Sequence, residues 1–161
     1  MAKTYSEHKI KRFRSKIHGN GVSAIAPIRK GELIVEYKGT IITHEEADER
    51  YQGPETGHTF LFILNDDYVI DANRKGNVAR WLNTSCDTNC EALVHEHPGK
   101  DRKKDQVIIE AKRAIKAGEE LTYDYGIVIK RKLSKEEKAK WACHCGSPKC
   151  TGTMLRKSVP K

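Results

Sequence analysis

Three cysteines crowd into eight residues of this chain, Cys143-His144-Cys145-Gly146-Ser147-Pro148-Lys149-Cys150. Reduced thiolates so close together can reach a single soft metal ion, and four of them in a tetrahedron suit zinc. The fourth ligand must come from elsewhere, and Cys86 and Cys90 are the only other thiols. His144 is the poorer choice, because its neighbours on both sides already ligate. A closed site of four thiolates would be structural, since no position stays open for water. Ordinary surface thiols are the bland alternative, but the spacing C-x-C-x4-C is rare by chance. Five cysteines make no closed disulfide set, which favours reduced thiols.

Two further stretches carry polar groups that could do chemistry. Asn83-Thr84-Ser85-Cys86-Asp87-Thr88-Asn89, taken alone, reads as a turn full of side-chain caps. Glu119-Glu120-Leu121-Thr122-Tyr123-Asp124-Tyr125-Gly126, taken alone, reads as a strand ending in two tyrosines, for which core packing is an equally good explanation.

The elements that must position these groups are mostly strands. Gly21 to Ala26 and Leu33 to Tyr37 are short apolar stretches bounded by Gly and Pro. Thr43-His44-Glu45-Glu46 fits a capping box and predicts a helix from about Glu45 to Tyr51. Phe60 to Leu64 and Tyr68 to Ile70 predict a hairpin joined around Asn65-Asp66-Asp67. Asn77 to Asn83 is a short helical candidate, and strand character returns at Ala92 to His95 and Val107 to Ala111. The basic run Pro98 to Lys104 reads as a solvated turn. Ser134 to Glu137 is a second capping box, opening a charged helix before Trp141. One resemblance is internal: Ile28-Arg29-Lys30-Gly31-Glu32-Leu33 and Ile115-Lys116-Ala117-Gly118-Glu119-Glu120-Leu121 both read as a glycine turn followed by a strand.

Length and composition set the bounds. The 161 residues fit a single domain, and 37% hydrophobic residues suffice for one modest core. No apolar run approaches the roughly 20 residues of a membrane span. No apolar stretch follows the basic residues of the first segment, so a standard secretory signal peptide is not expected. A net charge of +8 suggests an acidic partner such as nucleic acid, in weak contact, although a merely soluble basic surface explains it as well.

Taken in order, the motifs resemble the SET-domain family of protein lysine methyltransferases. His18-Gly19-Asn20-Gly21-Val22 is similar to the glycine motif near the start of such domains, and Glu36-Tyr37-Lys38-Gly39 to the family's E-Y-x-G strand. Asp71-Ala72, then Gly76-Asn77-Val78-Ala79-Arg80-Trp81-Leu82-Asn83-Thr84-Ser85-Cys86-Asp87-Thr88-Asn89, resembles D-A followed by G-N-x-A-R-F-I-N-H-S-C-x-P-N. Glu120 to Tyr125 resembles E-L-T-[YF]-D-Y, and Trp141 to Leu155 resembles a post-SET segment. Two positions depart: Thr84 stands where the family has histidine and Thr88 where it has proline. Threonine keeps the backbone contacts and loses the imidazole.

The resemblance implies a mostly β fold with short helices, a β-clip-like SET domain with a knot-like threaded segment and a small C-terminal zinc-binding tail. It divides the chain into a SET domain over 8–127, a basic linker or helix over 128–140 and a post-SET segment over 141–157. Cofactor and substrate lysine would enter from opposite faces and meet in a narrow channel. The implied cofactor is S-adenosylmethionine, with His18, Asn20, Gly21, Phe60, Asn83, Thr84, His144 and Leu155 as its contacts. Tyr125 matches the catalytic tyrosine, and Tyr37 a second tyrosine of the channel. Tyr123 matches a Phe/Tyr position where the hydroxyl limits the product to monomethyl-lysine. For one structural zinc ion, the resemblance selects Cys86 as the fourth ligand beside Cys143, Cys145 and Cys150. Arg80 and Asp71 are expected as structural groups near the knot. The implied partner is a lysine-containing protein or peptide, a histone tail or another basic protein, with no membrane. A catalytically weak SET protein that only binds such a peptide is the competing expectation. The similarity is to compact microbial SET proteins. A cytoplasmic setting follows from it, or a host nucleus for an exported effector.

Overall fold

The computed structural model describes residues 5–17, 19–51, 60–125, 134–136, 142–143, 145 and 147–153. Among these, eight short strands form three antiparallel sheets. Strands β1 (Ile10–Arg14) and β2 (Asn20–Ala24) make a hairpin in which Arg12 faces Val22. Strands β3 (Leu33–Glu36), β8 (Gln106–Ala111) and β7 (Cys90–His95) follow with β8 in the centre. Strands β4 (Thr40–Thr43), β6 (Tyr68–Asp71) and β5 (Leu61–Ile63) form the third, with β6 in the centre. The two central strands are buried on both faces, which is why Val107-Ile108-Ile109 and Val69-Ile70 read as continuous apolar runs rather than alternating ones. One core joins Val22, Ile34, Leu82, Ile109 and Leu121, all at most 1% exposed. No helix among the described residues is long and apolar enough to cross a membrane.

The capping box opens α1 (His44–Tyr51) as expected: the Glu46 amide donates to Thr43 Oγ1 at 3.1 Å, and Thr43 N donates back to Glu46 Oε1 at 3.3 Å. The hairpin β5–β6 also forms as expected. The helical candidate over Asn77–Asn83 shortens to a 3-10 turn, Val78–Trp81, capped by the Asn77 side chain. The basic run at 98–104 is more than a solvated turn. Its 3-10 turn, Arg102–Lys104, is pinned by Asn65 Nδ2 donating to the Arg102 carbonyl at 2.8 Å. Of the second capping box and its helix, only 134–136 fall within the described residues.

The two glycine turns that resemble each other in sequence are paired in space. Ile28 and Ile115 exchange backbone hydrogen bonds of 2.9 and 2.8 Å. Gly31 N donates to the Ala111 carbonyl and Gly118 N to the Ala24 carbonyl, while Ala111 N and Ala24 N return bonds to Glu32 and Glu119. Gly31 and Gly118 sit at φ 86° and 92°, the left-handed region that only glycine enters at little cost. The result is a local two-fold: β2 lies beside 119–121 as β8 lies beside β3.

The stretch 119–125 was expected as a strand and is not one. It is held by single bridges, Ser23 to Glu120 antiparallel and Asn83 to Thr122 parallel, between β2 on one side and residues 83–90 on the other. Cys90 N donates to the Thr122 carbonyl at 2.9 Å, and Asn89 closes around Thr122 N and the Glu120 carbonyl at 2.9 and 2.8 Å. These bonds clasp residues 119–125 between β2 and residues 83–90.

Gly39 lets β3 turn into β4 against the end of β6. A Cβ there would stand 2.6 Å from the Asp71 carbonyl oxygen and 2.7 Å from its carbon, backbone atoms that cannot yield. Gly39→Ala is therefore expected to destabilise by about 2 kcal/mol, lowering the melting temperature by roughly 4–8 °C in a chain of this size. Calorimetry checks this; an unchanged transition would mean that the sheet can open at no cost.

Candidate functional site

Three tyrosines from distant parts of the chain converge. Tyr37 follows β3, its amide held by the Val107 carbonyl at 2.8 Å. Tyr123 and Tyr125 come from the clasped segment, their amides held by the Asn83 carbonyl at 3.2 Å and by Thr84 Oγ1 at 3.3 Å. The rings of Tyr123 and Tyr125 lie 4.9 Å apart, and Phe62 of β5 bridges the set, 5.2 Å from Tyr37 and 6.1 Å from Tyr123. Burial pushes all three phenols above their ordinary pKa. Asp71 adds to this at Tyr37, Tyr37 and Tyr125 add to it at Tyr123, and Tyr37 and Glu120 add to it at Tyr125. They are hydroxyl donors and acceptors at physiological pH, not phenolates. The Tyr125 hydroxyl donates to the Leu82 carbonyl, which fixes its direction. Phe62 is no part of the motifs above; its one signal in the sequence is the alternation Phe60, Phe62, Leu64.

Beside the tyrosines, Asn83 is 2% exposed and its amide nitrogen is committed. Asn83 Nδ2 donates to the Asn20 carbonyl at 3.1 Å and to Glu120 Oε2 at 2.9 Å. Ser15 Oγ donates to the same carboxylate, 2.7 and 2.8 Å from its two oxygens. Gly21 makes room for this: a Cβ there would meet Glu120 Oε2 at 2.4 Å. Asn20, Gly21 and Asn83 thus form one cradle, with Glu120 as the group that orients the Asn83 amide. Nothing in the string Glu120 to Tyr125 marks Glu120 as such a group. Thr84, 3% exposed, has its hydroxyl oxygen drawn into the Tyr125 amide bond.

Phe60 is held by Trp81 and Arg80. It packs edge-on against Trp81 with centroids 5.1 Å apart, and the Arg80 guanidinium lies over both rings, 5.5 Å from Phe60 and 4.4 Å from Trp81. Its φ of 53° is unusual for a bulky residue and is held by the Ala72 amide bonding its carbonyl at 2.9 Å. Arg80 also donates to the Ala72 carbonyl at 3.1 Å, and fully buried Asp71 faces the Arg50 guanidinium at 3.5 Å. His18, His144 and Leu155 lie outside the described residues.

The sulfurs of Cys86, Cys143, Cys145 and Cys150 all lie within 4.8 Å of one another, and none is in a disulfide. Cys86 and Cys143 are 3.8 Å apart, which is about the edge of a tetrahedron with metal–sulfur bonds near 2.3 Å. Backbone amides of Thr151 and Gly152 point at the sulfurs of Cys86 and Cys150, at 3.3 and 3.4 Å, as donors to thiolate charge. At Cys145 burial would raise the thiol, but hydrogen bonds from the Cys86 and Ser147 backbone outweigh it and hold it down at about 6. Cys90 is not in the cluster; it is 1% exposed in the core.

A family model described as SET domain matches residues 19–126. Among curated proteins, the chain is 42% identical over 149 residues to the histone-lysine N-methyltransferase set1 of Dictyostelium discoideum, covering 91% of this chain and 9% of that protein. It is 39% identical over 145 residues to the H3 lysine-4 specific histone-lysine N-methyltransferase of Mycosarcoma maydis, covering 88% of this chain and 9% of that one. The enzyme of the same description from Schizosaccharomyces pombe is 40% identical over 143 residues, with 87% and 14% covered. The chain thus spans about a tenth of the length of these relatives.

Proposed function

Because the chain belongs to the SET-domain family, we propose that it is a protein-lysine N-methyltransferase that uses S-adenosylmethionine. The observation that carries this reading is the enclosure of three neutral phenols, Tyr37, Tyr123 and Tyr125, beside the cradle of Asn20, Gly21 and Asn83. When bound, S-adenosylmethionine supplies an electrophilic methyl group on a sulfonium. Asn20, Gly21 and Asn83 would hold it, with Thr84 beside them; His18, Phe60, His144 and Leu155 are proposed as further contacts.

The substrate lysine must arrive neutral or lose its proton on the way. A free lysine near 10.4 is neutral only about once in two thousand at pH 7, and a buried aromatic enclosure favours the neutral amine. Tyr125, its hydroxyl aimed by Leu82, orients the amine lone pair without acting as a base. Tyr37 and Phe62 wall the channel and exclude water. The SET body is proposed over 8–127, a linker over 128–140 and the post-SET tail over 141–157. The substrate is a lysine of a basic protein, and a histone tail is favoured because the relatives above are named for histone lysine.

The tail is proposed to carry one structural zinc ion on Cys86, Cys143, Cys145 and Cys150. The sulfur distances fit a tetrahedron, and the ion would tie the tail to the 83–90 segment that clasps Tyr123 and Tyr125.

Tyr123 is proposed to set the product. Its ring is buried against Tyr125, and its hydroxyl would share the space into which a methylated amine must turn for a second transfer. A hydrogen bond holding the amine in the unproductive rotamer need supply only about 2.7 kcal/mol to slow that transfer a hundredfold. Incubation with labelled S-adenosylmethionine and histones, read by mass spectrometry, is expected to give mainly monomethyl-lysine. Tyr123→Phe is expected to shift the product to di- and trimethyl-lysine. Trimethyl-lysine as the main wild-type product would refute the role of Tyr123, and no transfer to any lysine would refute the enzyme.

A further inference from the structure

Strand β1 and the residues flanking it carry a run of positive charge that the function proposed above does not use. Five of the eight residues at 9–16 are Lys or Arg, and no acidic residue occurs between Glu7 and Glu32. Among the described residues the outer edge of β1 has no strand partner, because its sheet has only two strands and β2 turns its other edge to residues 119–121. Lys11, Arg12, Arg14 and Lys16 are exposed. None of the ion pairs among the described residues involves them, whereas Lys9 beside them is paired with Glu32 at 3.1 Å. The Arg12 guanidinium lies 5.8 Å from the Trp81 ring, so at least one of these cations is oriented by an aromatic face rather than by a carboxylate.

The other basic run is different in kind. Arg102 and Lys104 face Asp67 and Asp101, and Asp105 anchors the same turn, so that tip is close to neutral. At the β1 edge no ion pair among the described residues engages Lys11, Arg12, Arg14 or Lys16; the one carboxylate beside them, Glu120, is taken up by Ser15 and Asn83.

We propose that the β1 edge binds the phosphate backbone of double-stranded DNA. A five-residue strand is about 17 Å long, and duplex DNA presents on the order of ten charges over that length. Guanidinium groups pair with phosphate in two-pronged fashion, and an edge strand can add its unpaired amides. Arg12 and Arg14 share one side of the strand and Lys11 the other, so the edge straddles a backbone rather than filling a pocket. Contacts of this kind carry no sequence preference. They would bring the enzyme to DNA-associated basic proteins, and they stand independently of the methyltransferase reading.

Binding of the full chain to a short fluorescein-labelled duplex, followed by anisotropy, tests this. Four phosphate contacts predict a loss of affinity of roughly a hundredfold between about 50 and 200 mM salt. Lys11→Glu/Arg14→Glu is expected to lose at least tenfold in affinity at low salt, with the salt slope reduced by about two. The neutral pair Lys11→Gln/Arg14→Gln should fall between, which guards against a folding effect of the acidic pair. Lys30→Glu/Lys116→Glu, the same change of net charge placed at the paired glycine turns, is expected to bind nearly as the wild type does. Equal loss in that control would mean diffuse charge rather than a site and would overturn the proposal. So would salt-independent binding, no binding at low salt, or an acidic polypeptide that competes as well as DNA.

Discussion

Tyr125→Phe is expected to slow methyl transfer by about a hundredfold or more while leaving the affinity for S-adenosylmethionine within about twofold. The change removes one oxygen and keeps the ring that packs 4.9 Å from Tyr123. What is lost is a hydroxyl whose proton is committed to the Leu82 carbonyl. Its remaining lone pairs therefore face a defined direction and can align the amine only in one geometry. Such orientation matters at the transition state far more than in the resting complex. The phenol is held above its ordinary pKa by burial, then by the neighbouring Tyr37 and Glu120, so it stays protonated while the lysine amine is being unmasked. The wild-type rate should accordingly rise from about pH 7 to about pH 9 without a fall caused by this tyrosine. Single-turnover rates beside calorimetric titration of the cofactor decide the matter. Equal losses in rate and affinity would show a role in cofactor binding instead.

Cys86→Ser is expected to lower zinc from one ion per chain to nearly none, and to lower the melting temperature and activity with it. Cys86 is the only member of the cluster outside the tail, so it is the thiolate through which a metal would join the tail to the body. Three thiolates within eight residues would remain, but the ion would no longer bind two segments together. Cys90→Ser is expected to keep full zinc. Cys90 is packed in the core, its backbone tied to Thr122, and burial pushes its thiol up to about 12. Metal content by emission spectroscopy, with a colorimetric thiol titration, separates the two. Zinc retained in the Cys86 variant and lost in the Cys90 variant would reverse the assignment.

Much of the site was legible because its members are local strings. The capping box at Thr43, the β5–β6 hairpin and each of the two glycine turns rest on contacts within a few residues, and those follow from propensity and turn chemistry. The cysteine spacing pointed to a metal for the same reason. Strand β1 was not legible: Lys11-Arg12-Phe13-Arg14 has no apolar alternation, since only Ile10 of that strand is buried. Strand β4, Thr40–Thr43, was hidden between a glycine and a helix cap. The stretch 119–125 misled in the opposite way. Its pattern suits a strand, but it pairs through single bridges on both sides, and Tyr123 and Tyr125 share a face because the clasp packs them together.

The sequence by itself determined the residue types that can do the chemistry, their order, the family they resemble and the three thiols of the tail. It could not choose between Cys86 and Cys90 without that resemblance, because four residues of spacing say nothing about which thiol faces outward. Only the tertiary structure decided that Cys86 lies among the other sulfurs while Cys90 is sealed in the core. It also decided that Phe62 joins the tyrosines and that Glu120 orients Asn83 across 37 positions of chain. The physical reason is the range of the interactions. Caps, turns and ligand spacing are settled within one turn of the backbone, whereas a site assembled from residues 20, 37, 62, 83 and 123 exists only once the chain has closed its long loops around one core.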